Sequence, residues 1–180
     1  DTVAELQSII DRINGGTDSR AALQAIVDFA DLNTASQPIV LGSFSYSGTP
    51  PTPTTFFTAG VTGTVGAEDA AAFNDALATS HVTKDSVDTV DKLQSLVNAY
   101  RKVLRMADGI GSNTTPTDAP TLADYQLLGV DSGNLQTGTN SNNRLKLLND
   151  ILHGQNFEGV NTIKEINKLI EIANAVQDKA

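Results

Sequence analysis

No cysteine occurs among the 180 residues, which excludes a disulfide framework, a thiolate metal site and a cysteine nucleophile. Cations are scarce: 12 Lys and Arg stand against 21 Asp and Glu, for a net charge of −9. That balance opposes general electrostatic binding to nucleic acid or anionic lipid. No apolar run approaches the roughly 20 residues of a membrane span. The only histidines are His81 and His153; without cysteine or an HExxH pattern they do not form a zinc site. Each lies in or near the turn after a helix-like segment, where the helix dipole favours a cation. No Gly-x-Ser-x-Gly elbow is present. Gly109-Ile110-Gly111 has neither the lysine nor the following helix of a phosphate loop. The expectation is a non-enzyme, with no catalytic residue, no cofactor-binding residue and no metal ligand.

What the chain does contain is itself, repeated. Asp1-Thr2-Val3-Ala4-Glu5-Leu6-Gln7-Ser8-Ile9-Ile10-Asp11 returns as Asp88-Thr89-Val90-Asp91-Lys92-Leu93-Gln94-Ser95-Leu96-Val97-Asn98, with six identical positions. A looser copy runs from Asn161 to Ile170. A second marker, Pro51-Thr52 through Phe56 to Gly60-Val61, aligns on Pro120-Thr121 through Tyr125 to Gly129-Val130. A third places Phe73-Asn74-Asp75-Ala76-Leu77 on Leu148-Asn149-Asp150-Ile151-Leu152. The three markers recur in the same order at offsets of 69, 75 and 73 residues, so one unit is about seventy residues and the chain reads as part of a repeat array. It opens directly in a helix-like pattern with no signal peptide, as a mature chain or a cut fragment would; a start within a repeat favours the fragment.

Periodicity sets the content of a unit. Val90, Leu93, Val97, Tyr100, Leu104 and Ala107 lay one apolar stripe along a helix of about 28 Å. Ile163, Ile166, Leu169 or Ile170, Ala173 and Val176 repeat it. Thr2 with Glu5 and Thr162 with Glu165 fit the capping box, whereas Thr89 has Lys92 in the reciprocal place and keeps half of it. Asn142 or Asn143 suits the start of a medium helix that ends at His153-Gly154. The Pro-Thr segments predict short first helices, stopped by Gly60 and Gly129.

Short, medium and long amphipathic helices in about seventy residues predict an all-α chain of tandem small three-helix bundles, joined by Pro/Thr/Gly/Ser-rich linkers. The boundaries expected are a partial repeat over residues 1–35, a linker over 36–48, a repeat over 49–110, a linker over 111–115 and a repeat over 116–180. Helices are expected over 2–14 and 18–32. The frame there is ambiguous, because Leu23-Gln24-Ala25-Ile26-Val27-Asp28 also matches Leu93 to Asn98; the longer match at residues 1–11 is preferred. Ile39, Leu41, Phe44 and Tyr46 are compatible with a brief extended stretch in the first linker.

Pro120 to Val130, then Leu148 to Leu152, then Asn161 to Asn167, resemble the helical repeats of very large secreted adhesins of Gram-negative bacteria. The resemblance is fullest over residues 116–180, partial over 49–107 and slight over the first 48. It implies extracellular display at the bacterial surface, in attachment or in extending an adhesive tip, with neighbouring repeats of the same chain as partners. Its motifs are caps, stops and core positions, so it carries over no binding residue. The alternative is a three-helix module that itself binds a cell-surface protein or glycan.

Two features bear on recognition. Arg101, Lys102 and Arg105 gather positive charge on the long helix, in a chain whose first hundred residues carry 4 basic and 12 acidic groups. They are the weak candidates for ligand binding, although cations near a helix C-terminus are favoured in any case. Phe56, Phe57 and Tyr125 are expected in the core rather than on a sugar-stacking platform. Asp131-Ser132-Gly133-Asn134 and Asn140, Asn142 and Asn143 supply oxygens but lack the spacing and closing glutamate of an EF-hand. A solvated loop is expected there, with no cofactor and at most weak calcium binding.

Overall fold

A computed structural model describes residues 16–34, 46–109, 118–131, 135 and 141–179. Among them every regular element is helical: α1 (Thr17–Thr34), α2 (Pro53–Ala59), α3 (Ala67–Leu77), α4 (Val90–Met106), α5 (Leu122–Leu127), α6 (Ser141–His153) and α7 (Ile163–Gln177), with 3₁₀ turns at Lys84–Ser86 and Phe157–Gly159. The chain is all-α over these residues. The helix expected over 2–14, the linker over 111–115, Ile39, Leu41, Phe44 and most of the linker over 36–48 lie outside them. Tyr46 is described and is not in a strand.

Threonine hydroxyls start four of the helices. Thr52, Thr89, Thr121 and Thr162 accept from the amides of Thr55, Lys92, Asp124 and Glu165, satisfying donors that a helix start otherwise leaves orphaned. The half box at Thr89 is real: Lys92 turns away and donates from Nζ to the Asp85 carbonyl and to Asp88. Gly60 and Gly129 end α2 and α5 at φ 105° and 72°, a left-handed conformation that residues with a Cβ rarely adopt. The 3₁₀ turns are a feature that periodicity does not announce, since three residues are too few to carry a period.

The repeat markers occupy equivalent places. Asn74 Nδ2 donates to the Pro51 carbonyl at 2.8 Å and Asn149 Nδ2 to the Pro120 carbonyl at 2.9 Å. Val61 N–H reaches the Phe56 carbonyl and Val130 N–H the Tyr125 carbonyl. Phe56 packs edge-on to Phe73, and Phe73 lies tilted against Tyr100. Phe56 and Tyr125 are fully buried, as expected. Phe57 is a correction: it is 57 % exposed, because the marker's aromatic position is Phe56, and the residue after it is Gln126 in the second copy.

One apolar core runs through both copies, from Ile26 and Phe56 through Leu93 and Tyr100 to Tyr125, Leu148 and Ile166. The described residues on either side of 111–115 thus share it.

Removing either buried asparagine amide strands a proline carbonyl away from water, which costs about 1–3 kcal/mol. Asn74→Ala and Asn149→Ala are each expected to lose that much stability in urea titrations. A loss below about 0.5 kcal/mol for either would show that its marker is incidental to the fold.

Candidate functional site

Buried polar contacts join one copy of the repeat to the next. At this junction α4 buries Leu93, Leu96, Val97, Ala99, Tyr100, Val103 and Met106. At 3.6 residues per turn these span about 180° of the helix, well beyond the stripe of about 100° that a one-sided helix shows. Two faces are present. Besides α3 of its own copy, α4 packs against α5 and α6 of the following copy.

Polar contacts fix the register of that interface. Tyr100 Oη donates to the Val160 carbonyl at 3.1 Å, and Gly109 N–H to the Gln155 carbonyl at 2.7 Å. Asp75, on α3, accepts at Oδ2 from the backbone N–H of Ile163, the first residue of α7, at 2.6 Å. A carboxylate from one copy thus caps the long helix of the next, where the helix dipole favours negative charge. At Gly129 an added Cβ would come within 2.1 Å of Thr79 Oγ1, so the backbone approaches as closely as glycine allows.

The candidate cations stand around this contact. Lys102 Nζ lies 3.0 Å from Asp124 and 4.0 Å from Asp118, and Arg105 lies 2.5 Å from Asp118. Both therefore join α4 to the opening of the second copy. Arg101 stays within its own copy: its guanidinium donates to the Thr62 and Thr64 carbonyls and lies over the Phe73 ring. The three side chains that sequence groups as a cationic patch all have their charge engaged within the chain.

An earlier copy of the same interface is visible. α1 packs against α2, α3 and the 3₁₀ turn at Lys84–Ser86, as α4 packs against α5 and α6. Ile26, Phe29, Ala30 and Asn33 are buried on α1, at the positions of Leu96, Ala99, Tyr100 and Val103. Asn33 exchanges two hydrogen bonds with the Ser47 backbone, and Phe29 meets the Tyr46 ring edge-on. The match of Leu23 on Leu93 is thus the alignment with a structural counterpart, and α1 acts as a long helix. Residues 1–11, on which the other alignment rests, are outside the described residues.

Electrostatics differ among the buried acids. Asp75 is 3 % exposed; burial pushes its carboxyl up to about 6, with the Glu165 charge adding to the rise and the Ile163 amide opposing it. Burial also acts to raise Asp124, but the Thr121 amide and hydroxyl and the Lys102 ammonium outweigh it and hold that carboxyl below the usual range. Burial, together with the charges of Asp75, Glu165 and Tyr46, puts the Tyr100 phenol well above its ordinary value, so it remains a donor. Sequence reasoning misses Asp75. Its signal is a carboxylate within the apolar run Ala70 to Ala78, paired with an asparagine in both copies of the marker.

Among the described residues no reactive constellation accompanies these groups. An open groove of about 600 Å³ is lined by Pro53, Thr54, Phe57 and residues 61–65, none of which titrates. Among the described residues no three His, Asp or Glu gather as metal ligands. Of the loop weighed for calcium, Asp131 donates its amide to Asn167 Oδ1, while 132–134 and 140 are outside the described residues. His153 is buried as the last residue of α6 and His81 is exposed beyond α3.

The raised Asp75 carboxyl makes stability depend on pH. The native chain holds this proton more tightly than the unfolded chain, so the contribution is full below about pH 4 and is lost as pH rises through about 6. Asp75→Asn keeps an oxygen for Ile163 and removes the buried charge. It should raise stability at pH 7.5 by on the order of 2–3 kcal/mol and change it little at pH 4. Asp75→Ala at pH 4 should fall about 1–3 kcal/mol below Asn, because the amide loses its acceptor. Denaturant titrations at the two pH values decide; equal effects at both would remove the charge from the account.

Comparison with family models, curated proteins and solved structures finds no match to this chain.

Proposed function

We propose that the chain is a non-enzymatic extender: a stretch of small three-helix units stacked in tandem, which holds a binding element away from a bacterial cell surface. The observation that supports it most is the recurrence of one interface, α1 on the first copy and α4 on the second, with the same helix faces used each time. A helix that buries one face in its own unit and the other in the next transmits load along the chain without a flexible joint. The linkers then serve to return the chain to the start of the next unit. The acidic composition, which keeps such an array soluble and self-repelling, fits a passive element.

A second reading, direct recognition of a glycan or protein, draws on one observation. Phe57 stands 57 % exposed beside the groove lined by Pro53 and Val61, and an exposed ring is a stacking surface for an apolar sugar face.

The two readings separate on a glycan array and on intact cells, with the labelled chain tested with and without calcium. The extender should show no saturable binding while its far-UV spectrum confirms a helical fold. Saturable binding that Phe57→Ala abolishes would replace it with a recognition module.

A further inference from the structure

α7 is a long helix with only one face covered. Its buried residues Ile163, Ile166, Leu169, Ile170 and Ala173 span about 120° of circumference, against about 180° for α4. The difference lies at two positions. Ile172 and Val176 are each 50 % exposed, whereas their counterparts are buried: Ala99 and Val103 on α4, which packs on α5 and α6, and Phe29 and Asn33 on α1, which meet Tyr46 and Ser47. Asp150 shows the same contrast. It is exposed on α6, while its counterpart Asp75 is buried against the first amide of the following long helix.

We propose that this face of α7, with Asp150 beside it, is a docking site for one further unit of the same repeat. The occupant's short helix would lie over Ile172 and Val176, and Asp150 would accept the first N–H of its long helix. The proposal rests on the tandem-stack reading above and adds the site and the chemistry of its occupant. Continuity with two existing interfaces supports it, and charge selects the kind of unit. Where α4 offers Lys102 and Arg105, the facing opening carries Asp124 and Asp118. Where α1 has Leu32 at the Lys102 position, the facing opening carries Thr55 and Thr49. α7 has Ala175 and Asp178 at the two cation positions, and Asp178 already pairs with Arg144. An acidic opening would meet no cation at either position, so the occupant has a neutral one, as residues 49–109 do.

The test appends a second copy of residues 38–109 after Ala180, which stands in register with Gln37 and Ala107. Calorimetry of this extended chain should give a single unfolding transition. Ile172→Glu with Val176→Glu should split that transition in two, yet move the midpoint of the 180-residue chain by no more than about 2 °C, since both residues are at its surface. In the extended chain, Asp150→Ala should speed hydrogen exchange at the amide equivalent to Ile163, the appended Val90, by about tenfold. The docking site is overturned if the appended copy melts separately or stays unfolded without substitutions, or if the double substitution leaves one transition intact. If the 180-residue chain itself melts in two steps, the tandem-stack reading fails as well; if it melts in one and only the appended copy is independent, the docking site alone fails.

Discussion

α4 buries about half of its circumference, and it does so between helices of both copies of the repeat. Apolar surface left in water is unfavourable in proportion to its area, so a helix apolar over that much of its circumference needs neighbours on more than one side. α4 packs on α3 of its own copy and on α5 and α6 of the following one. Lys102 and Arg105 join α4 to Asp124 and Asp118 at the same contact, and the backbone at Gly129 comes close to Thr79 there.

Burial by itself is not directional, and a stack held by methyl groups alone could slip by a turn. The polar contacts prevent this. Tyr100 must meet the Val160 carbonyl and Asp75 the Ile163 amide, and each would be left unsatisfied in any other register. Asp75 carries a cost for this service, since its carboxylate is removed from water with one strong partner and a like charge, Glu165, nearby. The fold thus holds specificity and destabilisation in one group. Lys102 with Asp124 is the milder arrangement, part-exposed and paired, where the ion pair stabilises the charge that Asp75 bears nearly alone.

Much of the helical content is legible in the order of residues. Thr52, Thr89, Thr121 and Thr162 announce four helix starts, Gly60 and Gly129 two ends, and the heptad-like spacing from Val90 the length of α4. These signals are local, because a cap or a left-handed stop acts within four residues of itself. Phe57 is misread because two adjacent aromatics cannot share one helix face, and only alignment with Tyr125-Gln126 tells which of them turns inward. The second face of α4 escapes for a related reason. Leu96, Ala99, Val103 and Met106 lie beside the stripe that starts at Val90, and a single stripe already accounts for a one-sided amphipathic helix.

The sequence by itself determined the all-helical class of the described residues, the repeat period and several of the places where helices begin and stop, since caps and stops depend on side chains interacting with their own backbone. Only the tertiary structure decided which copy each helix face belongs to. Arg101, Lys102 and Arg105 form one patch on a helical wheel, yet Arg101 binds backward to Thr62 and Thr64 while Lys102 and Arg105 bind forward to Asp124 and Asp118. Asp75 and Ile163, 88 residues apart, share no local signal at all. Long-range contacts of this kind are set by how helices pack, a property of two surfaces meeting and not of either stretch of chain alone.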